Sequence, residues 1–116
     1  MFTMRTDILD VPAAQATILQ DRETSSLQRT LVLRNLTASD LTLKIQESSD
    51  GTTWTDVAAS FVLGAAGAGS DVAIKNLSTT NQFRLRAQGG DADRDLEVAL
   101  LSLNDDANHL WASPIM

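Results

Sequence analysis

Cysteine is absent, so no disulfide can staple this chain and no thiol can serve as nucleophile or metal ligand. Tyrosine is absent too, and the aromatics are confined to Phe2, Trp54, Phe61, Phe83 and Trp111. Surfaces that bind sugars or single-stranded nucleic acid rest on exposed aromatic platforms, so this scarcity argues against both. No apolar run approaches the ~18 residues of a membrane-spanning helix. Cations are outnumbered, 9 to 15, for a formal net charge of −6, which disfavours nucleic acid unless the basic residues segregate. The opening MFTMRTDILDVP lacks the basic start and apolar stretch of a signal peptide, so synthesis without export by that route is expected. At 116 residues the chain fits one domain that needs neither a metal nor a disulfide to fold.

What is present reads as short strands. Residues 41–47 (LTLKIQE) set Leu41, Leu43 and Ile45 against Thr42, Lys44 and Gln46. Residues 82–88 set Phe83, Leu85 and Ala87 against Arg84, Arg86 and Gln88, and residues 28–36 set Leu31 and Leu33 against Thr30, Val32 and Arg34. Alternation with one polar face marks an antiparallel sheet packed on one side. Residues 95–103 (DLEVALLSL) place Leu96, Val98 and Leu100 in register but carry Ala99, Leu101 and Leu103 opposite, so the second half of this strand is expected to be covered on both sides. Weaker strands are read at residues 16–20, 54–58, 61–63 and 71–77. Turn chemistry separates them: Ser48-Ser49-Asp50-Gly51, the small-residue stretch 64–70 (GAAGAGS), and Gly89-Gly90-Asp91. The expectation is an all-β antiparallel sandwich, immunoglobulin-like or jelly-roll-like, of about 8 short strands. Its boundaries are read as an N-terminal arm at 1–14, the sandwich at 15–103 and a C-terminal tail at 104–116.

A faint repeat links Arg34-Asn35-Leu36-Thr37 with Lys75-Asn76-Leu77-Ser78, each followed by a strand. It suggests two hairpins using one kind of corner, with Asn turning the chain and Leu plugging the core edge.

Candidate chemistry is thin. His109 is the one histidine, near Asp105 and Asp106, and a solvated tail histidine is the simpler reading. No G-x-S-x-G nucleophile motif occurs. Asp91, Asp93 and Asp95 alternate as at the start of a calcium loop, but Leu96 and Ser102 occupy the positions where an EF-hand needs glycine and glutamate. Neither catalytic residues nor a cofactor or tight metal site is therefore expected. The sequons at Asn35 and Asn76 are read as corner residues. Two groups point to binding. Arg34, Lys44, Arg84 and Arg86 fall on polar strand faces and, if their strands share a sheet, make a basic docking face for an acidic protein surface. Phe2, Met4, Ile8 and Leu9 at one end, and Leu110, Trp111, Ile115 and Met116 at the other, are large apolar residues that solvated tails normally lack. Either they pack on their own sandwich or they reach a neighbouring chain.

Residues 45–57 (IQESSDGTTWTDV) resemble the strand–turn–Trp–strand hairpin of small β-sandwich proteins from tailed-bacteriophage virions, and Arg84 to Ala87 is similar to a strand of the same group. The resemblance implies that Trp54 caps the core edge. It further implies a non-enzymatic capsid decoration (cement) protein, or another small head or tail component, that resides in the virion after synthesis in the host cytoplasm. Such a protein would form a homo-oligomer, trimer or dimer, and bind the major capsid protein or another virion protein, with no nucleic acid or membrane as partner. Similar hairpins occur in discoidin-like carbohydrate-binding modules, so a carbohydrate-binding or adhesion module is the alternative.

Overall fold

The computed structural model describes residues 2–21 and 26–104. Among them are nine strands and no helix: β1 (Phe2–Leu9), β2 (Ala16–Asp21), β3 (Ser26–Asn35), β4 (Leu41–Ser48), β5 (Thr55–Asp56), β6 (Phe61–Leu63), β7 (Val72–Leu77), β8 (Gln82–Gln88) and β9 (Leu96–Asn104). They form two antiparallel sheets packed on each other, the sandwich that the alternation requires. Sheet A has the order β1-β9-β3-β7; sheet B has the order β2-β8-β4-β5, with β6 pairing β4 beside β5.

Register decides which residues face inward, because the side-chain period is two. In sheet A, Leu31 lies opposite Leu100 and Leu33 opposite Val98, and all four are buried. In sheet B, Leu43 lies opposite Ala87 and Ile45 opposite Leu85. These residues join Val11, Leu41, Leu63, Leu77, Phe83 and Leu96 in one core between the sheets. Burying each such Leu or Ile contributes about 1.5–3 kcal/mol.

Two expectations change here. Residues 2–9, within the stretch read as an arm, form β1, which pairs with β9 from Phe2↔Leu103 to Leu9↔Leu96. Leu9 packs against the core and Val11 is fully buried, so the domain begins at β1. Second, the two Asn corners are not equivalent. Asn35 is buried, its Nδ2 donating to the carbonyls of Ser39, Leu63 and Gly64 at 2.7, 3.2 and 2.9 Å, while its Oδ1 accepts from Thr37 N and Oγ1. Asn76 lies outward within β7 and accepts from Thr30 Oγ1. The turn after β7 is held instead by Ser78 Oγ, which accepts from Thr80 N and Asn81 N. In β7, Val72 and Ile74 turn outward and Ala73, Lys75 and Leu77 inward, since Leu31 pairs with Lys75 and Leu33 with Ala73.

Candidate functional site

The acidic loop between β8 and β9 is built as a clamp. Asp95 is buried, and its Oδ2 accepts from Val11 N at 2.9 Å and Asp93 N at 3.1 Å. Ala92 N donates to Val11 O, Asp95 N to Leu9 O, and Arg94 N to the Asp10 carboxylate, so the loop fastens the β1–β2 connection. The approach is close enough that a Cβ on Gly90 would overlap Val11 O. The Asp91 carboxyl hydrogen-bonds Asp95, and this contact and the Asp95 charge push Asp91 above the ordinary carboxylate range. Burial works against charge on Asp95, but the hydrogen bonds from Asp91, Val11 and Asp93 outweigh it and hold Asp95 below that range. Among the described residues, no three His, Cys, Asp or Glu side chains come together as metal ligands. His109, Asp105 and Asp106 lie outside the described residues.

A lateral groove of about 370 Å³ opens where β1 and β2 diverge, with Leu9, Leu19, Val98 and Leu100 lining it. Arg5 and Asp21 close its rim through a 2.6 Å ion pair. Asp21 also approaches Arg29, at 3.6 Å. Arg29 is 1 % exposed, donates to the Ser78 and Asn81 carbonyls at 3.0 and 2.8 Å, and stacks over Phe83. Sequence reading missed it, although its phase with Leu31 and Leu33 places it on the core face.

The basic residues divide between the sheets. Lys44, Arg84 and Arg86 share the outer face of sheet B, with Lys44 directly opposite Arg86. Arg34 belongs to sheet A and pairs with Glu97 at 3.1 Å. On sheet B, Lys44 meets Asp56 at 3.3 Å, Arg86 donates to Thr17 Oγ1, and Arg84 Nε donates to Gln46 Oε1. Arg84 also covers the Trp54 ring, 4.6 Å from its centroid. Trp54 is thus half-buried on this outer face and is not part of the core, contrary to its expected role. The Asp50-Gly51 turn delivers it there. Asp50 Oδ1 accepts from Thr52 N and Thr53 N, and these bonds hold its pKa far below the ordinary range.

The outer face of sheet A is of another kind. Register carries Met4 opposite Leu101, Leu101 opposite Thr30, and Ala99 opposite Val32, which in turn faces Ile74. Met4, Leu101, Ala99, Val32, Ile74 and, opposite Arg34, Val72 form an apolar band that runs diagonally over the four strands, with Thr6, Thr30 and Asn76 interspersed. Ile74 is 67 % exposed, Met4 65 % and Val72 49 %. Ile8 lies on this face beside Glu97, half-buried, whereas Leu9 points inward. Of the terminal residues singled out in the sequence, Met4 and Ile8 therefore stand on this surface; Leu110, Trp111, Ile115 and Met116 lie outside the described residues. Val72 and Ile74 were not singled out in the sequence, where residues 71–77 carry only a weak strand signal. The doubly apolar 95–103 stretch was the legible signal, but its outer side is uncovered among the described residues.

No protein-family model matches the chain, and no curated protein matches its sequence. Solved structures share its fold. A subunit of the disulfide-linked pili that form Bacillus endospore appendages superposes with a TM-score of 0.59 at 17 % identity, over 90 % of this chain and 87 % of that one. The PBSX exported protein XepA superposes with a TM-score of 0.56 at 14 % identity, over 91 % of this chain but only 38 % of XepA. At these identities the likeness extends to the architecture, a two-sheet antiparallel sandwich.

Proposed function

We propose that this chain is a non-enzymatic structural protein of a tailed-phage virion, of the capsid decoration type, that acts through protein–protein contacts. One observation carries the reading: the apolar band across the outer face of sheet A, on a sandwich whose other outer face is polar and cationic. A monomer gains nothing by keeping Met4, Val72 and Ile74 in water, and contiguous apolar patches of this kind mark interaction sites. The disulfide linkage named for the Bacillus pili is not available to a chain without cysteine, so cohesion here rests on packing and charge. The carbohydrate-binding alternative has less support, because Arg84 already occupies one face of Trp54, the aromatic that the hairpin presents.

The test is density-gradient sedimentation of lysate from cells that carry the gene. The chain should band with assembled particles at a fixed ratio to a capsid protein. Recovery only from the soluble fractions at the top of the gradient rejects the reading, and a sugar hit on a glycan array would favour the alternative.

A further inference from the structure

We infer that the apolar outer face of sheet A is covered by a second copy of this chain, giving a face-to-face dimer that presents two cationic sheet B faces outward. The inference rests on the reading of sheet A as an assembly surface and names its occupant.

Two routes could bring another chain to sheet A: across its edges or onto its face. The edges are guarded. Arg5 and Asp7 on β1, and Lys75 on β7, sit at inward-facing register positions of the two edge strands. Charged residues turned inward at an edge oppose the addition of a further strand, because pairing would bury them. The face has no such guard. Its one close pair of charges, Arg34 and Glu97, is mutually neutralised at 3.1 Å. The rest of its centre is Met4, Val32, Val72, Ile74, Ala99 and Leu101, interspersed with the uncharged Thr6, Thr30 and Asn76, of which Thr30 donates to Asn76.

The geometry suits a copy of itself. Two sheets pack face to face about 10 Å apart when both have the same twist and an apolar inner side. A second sheet A meets both conditions, and a two-fold axis brings the same band against itself with no net charge at the contact. The alternative contact between copies, sheet B on sheet B, would oppose Lys44, Arg84 and Arg86 to themselves. Four strands about 4.8 Å apart over some seven residues give a face of roughly 450 Å² per copy. Doubled, that is roughly 900 Å², below the range of stable specific interfaces and in that of transient ones, so the dimer is weak and reversible. Its outward surfaces are then two equivalent polar faces, which can engage two neighbouring subunits of a particle at once and so bridge them.

Sedimentation velocity of the full chain, from about 1 µM to about 1 mM, reads the association directly. A monomer–dimer equilibrium is expected. Ile74→Glu and Met4→Glu each bring a charge into the face twice per dimer and should raise the dissociation constant at least about tenfold. Both residues are largely exposed, so unchanged thermal melts will show that the fold is kept. Val62→Glu, at an equally exposed position of sheet B, should leave the constant within about twofold. A monomer at every concentration overturns the inference, and means that another protein or the chain's own C-terminal segment covers the face. A dimer indifferent to both sheet A substitutions, or equally weakened by Val62→Glu, also overturns it. Banding with particles is scored separately, so the dimer can fail while the virion reading stands.

Discussion

Arg29 shows how one residue can connect both sheets to a turn. It stands in β3 of sheet A, stacks on Phe83 of sheet B, and satisfies two carbonyls of the turn that leads into β8. Arg29→Ala would leave Ser78 O, Asn81 O and part of the Asp21 charge without their partner inside the sandwich. The expected cost is about 3–5 kcal/mol in urea unfolding, and Arg29→Lys should recover little of it because a single ammonium cannot match the guanidinium fork. A loss below 1 kcal/mol, within the ordinary range for surface substitutions, would show the cluster to be dispensable.

The Asp91–Asp95 pair gives a signed pH dependence. Asp95 has a lowered pKa, so its contribution to stability is present above the unfolded carboxylate value near ~4 and is lost as pH falls through the folded value. Asp91 has a raised pKa, so the folded chain keeps that proton longer than the unfolded chain does. Between ~4 and its raised value, stability therefore falls as pH rises. Asp91→Asn keeps a donor for Asp95 and removes this slope. Its Tm at pH 7 should equal or exceed that of the parent, and any parental gain on moving from pH 7 to pH 5 should shrink. Asp95→Ala orphans the buried Val11 N–H and the Asp93 N–H and should cost about 2–4 kcal/mol at pH 7. Melts of the three proteins across that pH range decide both points.

At the scale of elements, β1 departs most from its sequence reading, and β7 forms where it was read but with a facing that its sequence did not declare. Met4, Arg5, Thr6 and Asp7 mix apolar and charged residues without a clean alternation, which reads as an arm. Pairing along eight positions of β9 makes the stretch a strand regardless of that pattern. Deleting residues 1–10 should therefore destabilise the sandwich itself, since it removes an edge strand and the packing of Leu9 against the core. A shift of the urea midpoint equivalent to more than about 3 kcal/mol is expected, from lost burial and lost ladder hydrogen bonds together. An unchanged midpoint would return these residues to the status of an appendage. In β7, Lys75 occupies an inward position because its ammonium lies over the Phe61 ring, 4.3 Å from the centroid, at the margin of the sandwich. This frees Val72 and Ile74 to face outward. Single-strand periodicity cannot see that exchange, because it depends on Phe61 from the other sheet.

For the whole molecule, the pairings of β1 with β9 and of β2 with β8 close long stretches of chain before any contact rewards them. Refolding from urea should be slow for a domain of this size, in the millisecond-to-second range of non-local β topologies. Microsecond refolding would contradict this topology. The clamp at Asp95 is held by the hydrogen bonds that its carboxylate accepts from the Val11 and Asp93 N–H groups. Thermal melts with and without a chelator should coincide, and calcium should raise Tm only at millimolar concentrations, if at all. A shift at micromolar calcium would reassign the acidic loop to metal binding.

Period-two alternation in residues 28–36, 41–47, 82–88 and 95–103 was sufficient to determine the sheet class and most of the core. In these strands the inward residues are apolar, Arg29, Asn35 and Ser102 apart, and one face had to be buried. The turns were equally legible, because Gly51 and Gly89 take positive φ, a backbone conformation that few other residues adopt. Only the tertiary structure decided which strands share a sheet. That assignment separates Arg34 from Lys44, Arg84 and Arg86, and gathers Met4, Val32, Val72, Ile74 and Leu101 into one exposed band. The reason is physical: a strand's two faces are local properties of its sequence, whereas a surface spanning four strands is set by registers between segments far apart in the chain.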